Sequence, residues 1–294
     1  MLFDQDRPSW SIDGGDWPNR QHSRFIQSGG LSWHVQQMGT GPQLLLLHGT
    51  GAATHSFRDL APRLAENFQV LTLDLPGHGF TAMPPGNGMS LDGMARLIGG
   101  VLTRTNFEPA LVVGHSAGAA ILVDMTHAAM IEPKGIIALN GALRPIRGAS
   151  LFSPLAKLLF LNPLAPKLFA WRALSSQATR GLLEGTGSHI DRVGIELYER
   201  LFRKSGHVAG TLGMMANWNL DGIAGQIASL AMPLILLTAP NDRAVPPRDA
   251  VLLAASGKSV RVQALDSGGH LVHEENPERV ADLIRDLAHQ LGVL

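Results

Sequence analysis

Five short apolar runs, "QLLLLHG" (43–49), "QVLTLDLPG" (69–77), "ALVVGHS" (110–116), "GIIALNG" (135–141) and "PLILLTAPND" (233–242), are each bounded by Gly, Pro or Asp. Their apolarity is continuous rather than alternating, which predicts strands buried on both faces and hence a mostly parallel sheet covered by helices. Between and after them lie amphipathic stretches at 55–66, 90–105, 117–131, 247–256 and 277–291. Asn276 and Pro277 have the form of a helix cap followed by a first-turn proline. "SRFIQSGGLSWHVQQM" (23–38) predicts a hairpin turned at Gly29-Gly30, and "SVRVQAL" (259–265) a further strand. The predicted fold class is α/β.

The rhythm stops between about 142 and 230. Prolines at 145, 154, 163 and 166 interrupt this segment, and its patterned stretches, "IDRVGIELYERLF" (190–202) and "VAGTLGMMANW" (208–218), are helical. Strand signals resume afterwards. The pattern predicts a core made of 1–141 and 231–294, with 142–230 inserted as a helical cap.

Composition narrows the function classes. The 294 residues are 45% hydrophobic, and 24 Lys plus Arg balance 24 Asp plus Glu, so the basic footprint of a nucleic-acid binder is missing. Cysteine is absent, which removes disulfides, thiolate metal sites and cysteine nucleophiles. The amino terminus carries no basic start followed by an apolar run, and the most apolar window, "PLAKLLFLNPLAPKLFAW", is broken by Lys157, Pro163, Pro166 and Lys167. A cytoplasmic protein is expected. The longer stretch 152–174 mixes large apolar residues with Lys157, Lys167 and Arg172, suiting a cap helix over the site or, alternatively, contact with a membrane surface.

Candidate chemistry gathers where the predicted strands end. "GHSAG" (114–118) fits G-x-S-x-G between a buried strand and a helix, the setting of a nucleophile elbow, with Ser116 as nucleophile. A serine needs a base to take its proton and a carboxylate to orient that base, in the chain order Ser, acid, His. Asp242, after the fifth apolar run, and His270, in "DSGGH", satisfy the order; Asp266 and His273 are rivals, with His273 expected at the surface. Asn140 follows "GIIAL" where an acid could stand, but it carries no charge. Backbone N–H groups of Thr50, in "HGTGA", and Ala117 are the candidate oxyanion donors. His48 and His115 are expected beside the site and His78 in a loop packing the sheet's end. No H-E-x-x-H or Walker ending is present, so neither a metal nor another cofactor is called for.

Taken in order, "HGTGA", "DLPGHGFT", "GHSAG", "PND" and "GGH" resemble the α/β-hydrolase superfamily across nearly the whole chain. "DWPNRQHSRF", "LNGALRP", "NPLAPKLFAWRA", "GTGS" and "GHVAGTLGMMANW" look like the magnesium chelatase accessory proteins of bacteriochlorophyll biosynthesis. That resemblance implies a role where magnesium enters protoporphyrin IX, with chelatase subunits as partners, and marks Ser116, Asp242 and His270 as a triad. A porphyrin-type or other apolar ligand would be walled by Trp171, Met214, Met215 and Trp218, with Phe169 beside them and His48 and His115 at the site. Arg144, Arg147 and Arg172 could meet propionates, and His189 or His207 a central metal. Three functions follow: an accessory protein with a competent Ser-His-Asp site, a general carboxylesterase of an apolar ester, or a non-catalytic porphyrin- or chelatase-binding protein.

Overall fold

A computed structural model describes residues 6–145, 162, 164–173, 175–255, 257 and 259–294. Its sheet comprises β1 (Ser23–Ser28), β2 (Leu31–Met38), β3 (Gln43–Leu47), β4 (Gln69–Leu73), β5 (Leu111–His115), β6 (Ile136–Leu139), β7 (Leu234–Thr238) and β8 (Val260–Ala264). Their spatial order is β1-β2-β4-β3-β5-β6-β7-β8. Only the β1–β2 and β2–β4 pairings are antiparallel. The hairpin turns at Gly29 and Gly30, whose φ of 60° and 75° is the left-handed pair that a two-residue turn requires.

The continuous apolar runs divide by strand periodicity. Leu45, Leu47, Val112, Ile136, Ala138, Leu234 and Leu236 enter one core layer. Their neighbours Leu44, Leu46, Leu111, Val113, Ile137, Leu139, Ile235 and Leu237 enter the layer on the opposite face. Each run is therefore apolar throughout because both of its faces are covered.

In chain order the helices are α1 (Trp10–Asp13), α2 (Leu60–Leu64), α3 (Leu91–Thr105), α4 (Ala117–His127), α5 (Ala165–Arg172), α6 (Ser176–Gly185), α7 (Arg192–Phe202), α8 (Ser205–Asn217), α9 (Ile223–Ala228), α10 (Pro247–Ala254), α11 (Val272–Glu275) and α12 (Pro277–Gln290). Helices α3, α4, α9 and α10 supply the first core layer, and α2 and α12 the second. Ser90 caps α3 through Gly93 N, and Asn276 caps α12 through Arg279 N. The stretch 55–66 does not form one helix. It gives a 3-10 turn, Thr54–Phe57, and then α2. Pro62 has no N–H to offer the Arg58 carbonyl, which accepts from Asn19 Nδ2 instead. Between β6 and β7 the described residues contain helices α5 to α9 and no strand.

Asp74, just past β4, organises the side of the molecule under α1. Its Oδ2 accepts from His34 Nδ1 (2.9 Å) and Phe80 N (2.9 Å), and its Oδ1 from Thr54 N (2.7 Å). His34 Nε2 in turn accepts from Ser23 Oγ at 3.0 Å. Burial alone would raise the Asp74 carboxyl, but His34, His48 and the Phe80 amide together hold it well below the usual carboxylate range.

Candidate active site

Ser116 sits between β5 and α4 at φ 51° and ψ −118°, a strained conformation for a residue with a side chain. The flanking glycines make it possible. A Cβ on Gly114 would lie 2.5 Å from Ala119 N, and one on Gly118 2.3 Å from Leu47 O. The strand, the turn and the helix are thus pressed together, which presents Ser116 at the carboxyl end of the sheet.

Asp242 follows β7 and is buried, with its Oδ1 accepting from Ala244 N and Val245 N, both at 2.8 Å. Its Oδ2 accepts from His270 Nδ1 at 2.8 Å. The Nδ1 proton is thereby fixed, leaving Nε2 with its lone pair. His270 Nε2 takes part in no other hydrogen bond among the described residues. The rival acid, Asp266, is exposed.

Both candidate oxyanion peptides are held through their carbonyls. In a trans peptide the C=O and N–H point in opposite directions, so fixing one aims the other. The Gly49 carbonyl accepts from His48 Nδ1 at 2.8 Å, while His48 Nε2 accepts from Leu75 N at 2.9 Å; this sets the peptide whose N–H belongs to Thr50. The Ser116 carbonyl accepts from Ala119 N (3.2 Å) and Ala142 N (3.0 Å), which sets the peptide whose N–H belongs to Ala117. Neither the Thr50 nor the Ala117 amide donates elsewhere among the described residues. The Gly49 backbone runs against Ser116, since a Cβ there would be 2.9 Å from Ser116 Cβ.

Four side chains hold the loop that carries His270. His115 Nε2 donates to the His270 carbonyl at 3.0 Å, and the two rings lie 4.7 Å apart. Asn140, buried and at φ 46°, donates from Nδ2 to the Gly269 and His270 carbonyls (2.9 and 3.0 Å), and its Oδ1 accepts from Ala239 N at 2.9 Å. One amide thus joins the loop bearing Asp242 to the loop bearing His270. The sequence signal for this was an Asn at the strand end, a residue type that tolerates the left-handed conformation found there. Ser188, in "GTGS", accepts from Leu271 N at 2.9 Å, and Glu275 accepts from Gly269 N at 2.6 Å.

Several expected placements differ. His273 is not at the surface: it is fully buried, its Nε2 donates to Ser56 Oγ at 2.9 Å, and burial lowers its pKa to about 3. Beyond it Glu274 accepts from Ser56 Oγ, Tyr198 OH and Arg58, while Arg58 also pairs with Asp191 at 2.9 Å, tying α7 to the core. His207 cannot meet a ligand's metal, because Nδ1 accepts from Gly79 N and Nε2 donates to the Gly51 carbonyl, each at 3.0 Å. His189 is exposed. His78 is buried with Nδ1 on the Pro76 carbonyl.

Trp171, Met214, Met215 and Trp218 stand in unlike surroundings among the described residues. Met214 is fully buried beneath the Thr50 hydroxyl (3.3 Å), while its neighbour Met215 is 44% exposed, since successive helical residues point about 100° apart. Trp218 packs against the first core layer, and Trp171, on α5, is 67% exposed, as Phe169 is 45%. His48 and His115 are buried behind the site. Arg144 pairs with Asp249 at 3.3 Å. Arg147 and most of 152–174 lie outside the described residues. No helix among the described residues is long and apolar enough to cross a membrane.

A family model for the alpha/beta hydrolase family matches residues 44–283. The chain is 35% identical over 276 residues to the magnesium-chelatase 30 kDa subunit of Rhodobacter capsulatus, covering 92% of this chain and 96% of that one. Among solved structures, the epoxide hydrolase CorEH superposes with a TM-score of 0.77 at 21% identity, covering 92% of this chain and 99% of that chain. A loop variant of the haloalkane dehalogenase DbeA from Bradyrhizobium elkanii does so with 0.75 at 16%, covering 92% and 97%. These structures share the fold and catalyse different reactions, so the fold by itself does not name the chemistry. Sheet order, strand-end chemistry and whole-chain similarity agree that the chain belongs to the α/β-hydrolase family, with the magnesium-chelatase 30 kDa subunit as a relative.

Proposed function

We propose that this chain is a serine hydrolase that cleaves an ester or related acyl bond of an apolar substrate, and that it serves magnesium insertion into protoporphyrin IX as an accessory to the chelatase. The observation that carries the hydrolase assignment is the Asp242–His270 pair, held at 2.8 Å with Nε2 unbonded, at the same end of the sheet as the strained Ser116. The accessory role rests on the full-length similarity to the 30 kDa subunit.

In this mechanism His270 Nε2 takes the Ser116 Oγ proton as the oxygen attacks the acyl carbon. Asp242 steadies the imidazolium, and the Thr50 and Ala117 amides receive the oxyanion, each contributing about 3 kcal/mol. His270 then protonates the leaving group. A water, deprotonated by the same Nε2, releases the acyl group from Ser116. We assign 1–141 and 231–294 to the core carrying this chemistry and 142–230 to the cap.

We also place the protein in the cytoplasm, with α5 against a membrane surface. Leu164, Leu168 and Trp171, at helical spacing and exposed, stand beside Lys167 and Arg172, the composition that anionic headgroups favour. Flotation with vesicles containing anionic lipid checks this; absence of binding at low salt removes it.

Labelling with a fluorophosphonate probe tests the hydrolase assignment: wild type is expected to label and Ser116→Ala not to. Ser116→Ala should also lose support for magnesium insertion in cells while remaining folded. Full support by that variant would leave binding, not turnover, as the accessory role.

A further inference from the structure

A cavity of about 170 Å³ opens beside the acid loop, between the carboxyl ends of β6 and β7 and the start of α10. It is far larger than a single water needs, with room for a carboxylate and part of an aliphatic stem. Three arginines line it, Arg144, Arg243 and Arg248, of which Arg243 and Arg248 are exposed, against one acidic residue, Asp249, which pairs with Arg144. Arg243 and Arg248 have no carboxylate partner among the described residues. The remaining wall is apolar, formed chiefly by Leu236, Val245 and Leu253.

This cavity shares its walls with the triad. Ala244 and Val245, on one side, are the residues whose amides orient Asp242. Ala142, on another, donates its amide to the Ser116 carbonyl. A group seated there lies one peptide away from both the acid and the nucleophile.

We propose that this cavity is a binding site for the carboxylate of an apolar ligand, held by Arg243 and Arg248 with its stem on Leu236, Val245 and Leu253. A guanidinium fork matches a planar carboxylate in charge and geometry, and the unbalanced positive charge selects against a neutral ligand of the same shape. Where the carboxylate belongs to the substrate, the site sets specificity, and that extension rests on the hydrolase function proposed above.

The test uses the full chain in two arms. In the first, Ser116→Ala protein is titrated calorimetrically with octanoate and with octanol. Octanoate is expected to bind, and Arg243→Gln together with Arg248→Gln to weaken it at least tenfold while the preference over octanol disappears. Octanoate that fails to bind, or binds equally well without the two arginines, overturns the proposal. In the second arm, the protein with Ser116 intact is given the mono-p-nitrophenyl ester of suberic acid and p-nitrophenyl octanoate. A tenfold or greater fall in the ratio of their kcat/KM values on replacing both arginines assigns the carboxylate to the substrate; an unchanged ratio, with octanoate binding lost, assigns it to a separate ligand. If neither ester is cleaved, the hydrolase function fails, while the titration still decides the cavity.

Discussion

Two Asp–His pairs of almost the same length stand in different regions of this molecule. Asp242 and His270 meet at 2.8 Å at the carboxyl end of β7 and β8, and Asp74 and His34 at 2.9 Å beneath α1. In both, a carboxylate fixes the Nδ1 proton of the imidazole. They differ in what meets Nε2. His34 Nε2 accepts from Ser23 Oγ, which also accepts from Gln36 Nε2, and the His34 side chain is wholly buried. The His270 side chain is 10% exposed and its Nε2 takes part in no hydrogen bond among the described residues. The same Asp–His chemistry is a structural tie where the outer nitrogen is bonded and buried, and is available for proton transfer only where that nitrogen is left open, as beside the strained Ser116.

The largest effect expected from that contrast is on turnover. Ser116→Ala should abolish fluorophosphonate labelling and lower kcat by about 10⁶, and Ser23→Ala should leave labelling intact. Labelling that survives Ser116→Ala and disappears with Ser23→Ala would reverse the two assignments. Next come the acids. Asp242→Asn should lower kcat by about 10⁴ with little loss of stability, because the tautomer and not the packing is disturbed. Asp74→Asn should instead lower unfolding free energy by about 3 kcal/mol in urea, since it breaks a buried pair with three donors. Equal stability losses in the two variants would erase the distinction.

A smaller effect comes from pH. His207 and His273 are kept neutral by burial, with pKa values lowered to about 4 and about 3. The unfolded chain binds protons that the folded one refuses from about pH 6.5 downward, so their contribution is complete above pH 6.5 and is lost as pH falls toward those folded values. Each costs about 1.4 kcal/mol per pH unit within its window. The depressed Asp74 acts at more acid pH, its contribution being present above about 4 and lost below. Urea unfolding between pH 7 and 4 should therefore show stability falling with pH; a flat profile would contradict the buried neutral histidines. Smallest of all is Thr50→Ala. The proposed donor is the Thr50 amide, aimed by His48, while its hydroxyl meets Met214 Sδ, so kcat should change less than threefold.

Much of the core was legible because burial on both faces writes itself into the chain. Leu44 to Leu47 and Leu234 to Leu237 could be apolar throughout only if alternate residues had different apolar partners, and they do. "GHSAG" was legible for a steric reason, the glycines being required by the close approach of Ala119 and Leu47. The helical segment between β6 and β7 was less so. Met214 and Met215 carry the same side chain, and sequence could not say which one faced inward.

By itself, then, the sequence determined the α/β class, the strand ends where polar residues gather, and the chain order of Ser116, Asp242 and His270. Tertiary structure alone decided that His270, paired with Asp242, keeps an outer nitrogen unbonded among the described residues, that Asn140 joins the Asp242 and His270 loops, and that Arg243 and Arg248 line a cavity with Arg144. The reason is physical: periodicity records whether a position is buried, whereas hydrogen bonding and charge depend on partners far away in the chain, 155 residues in the bond from His115 to the His270 carbonyl and 217 in that between His273 and Ser56.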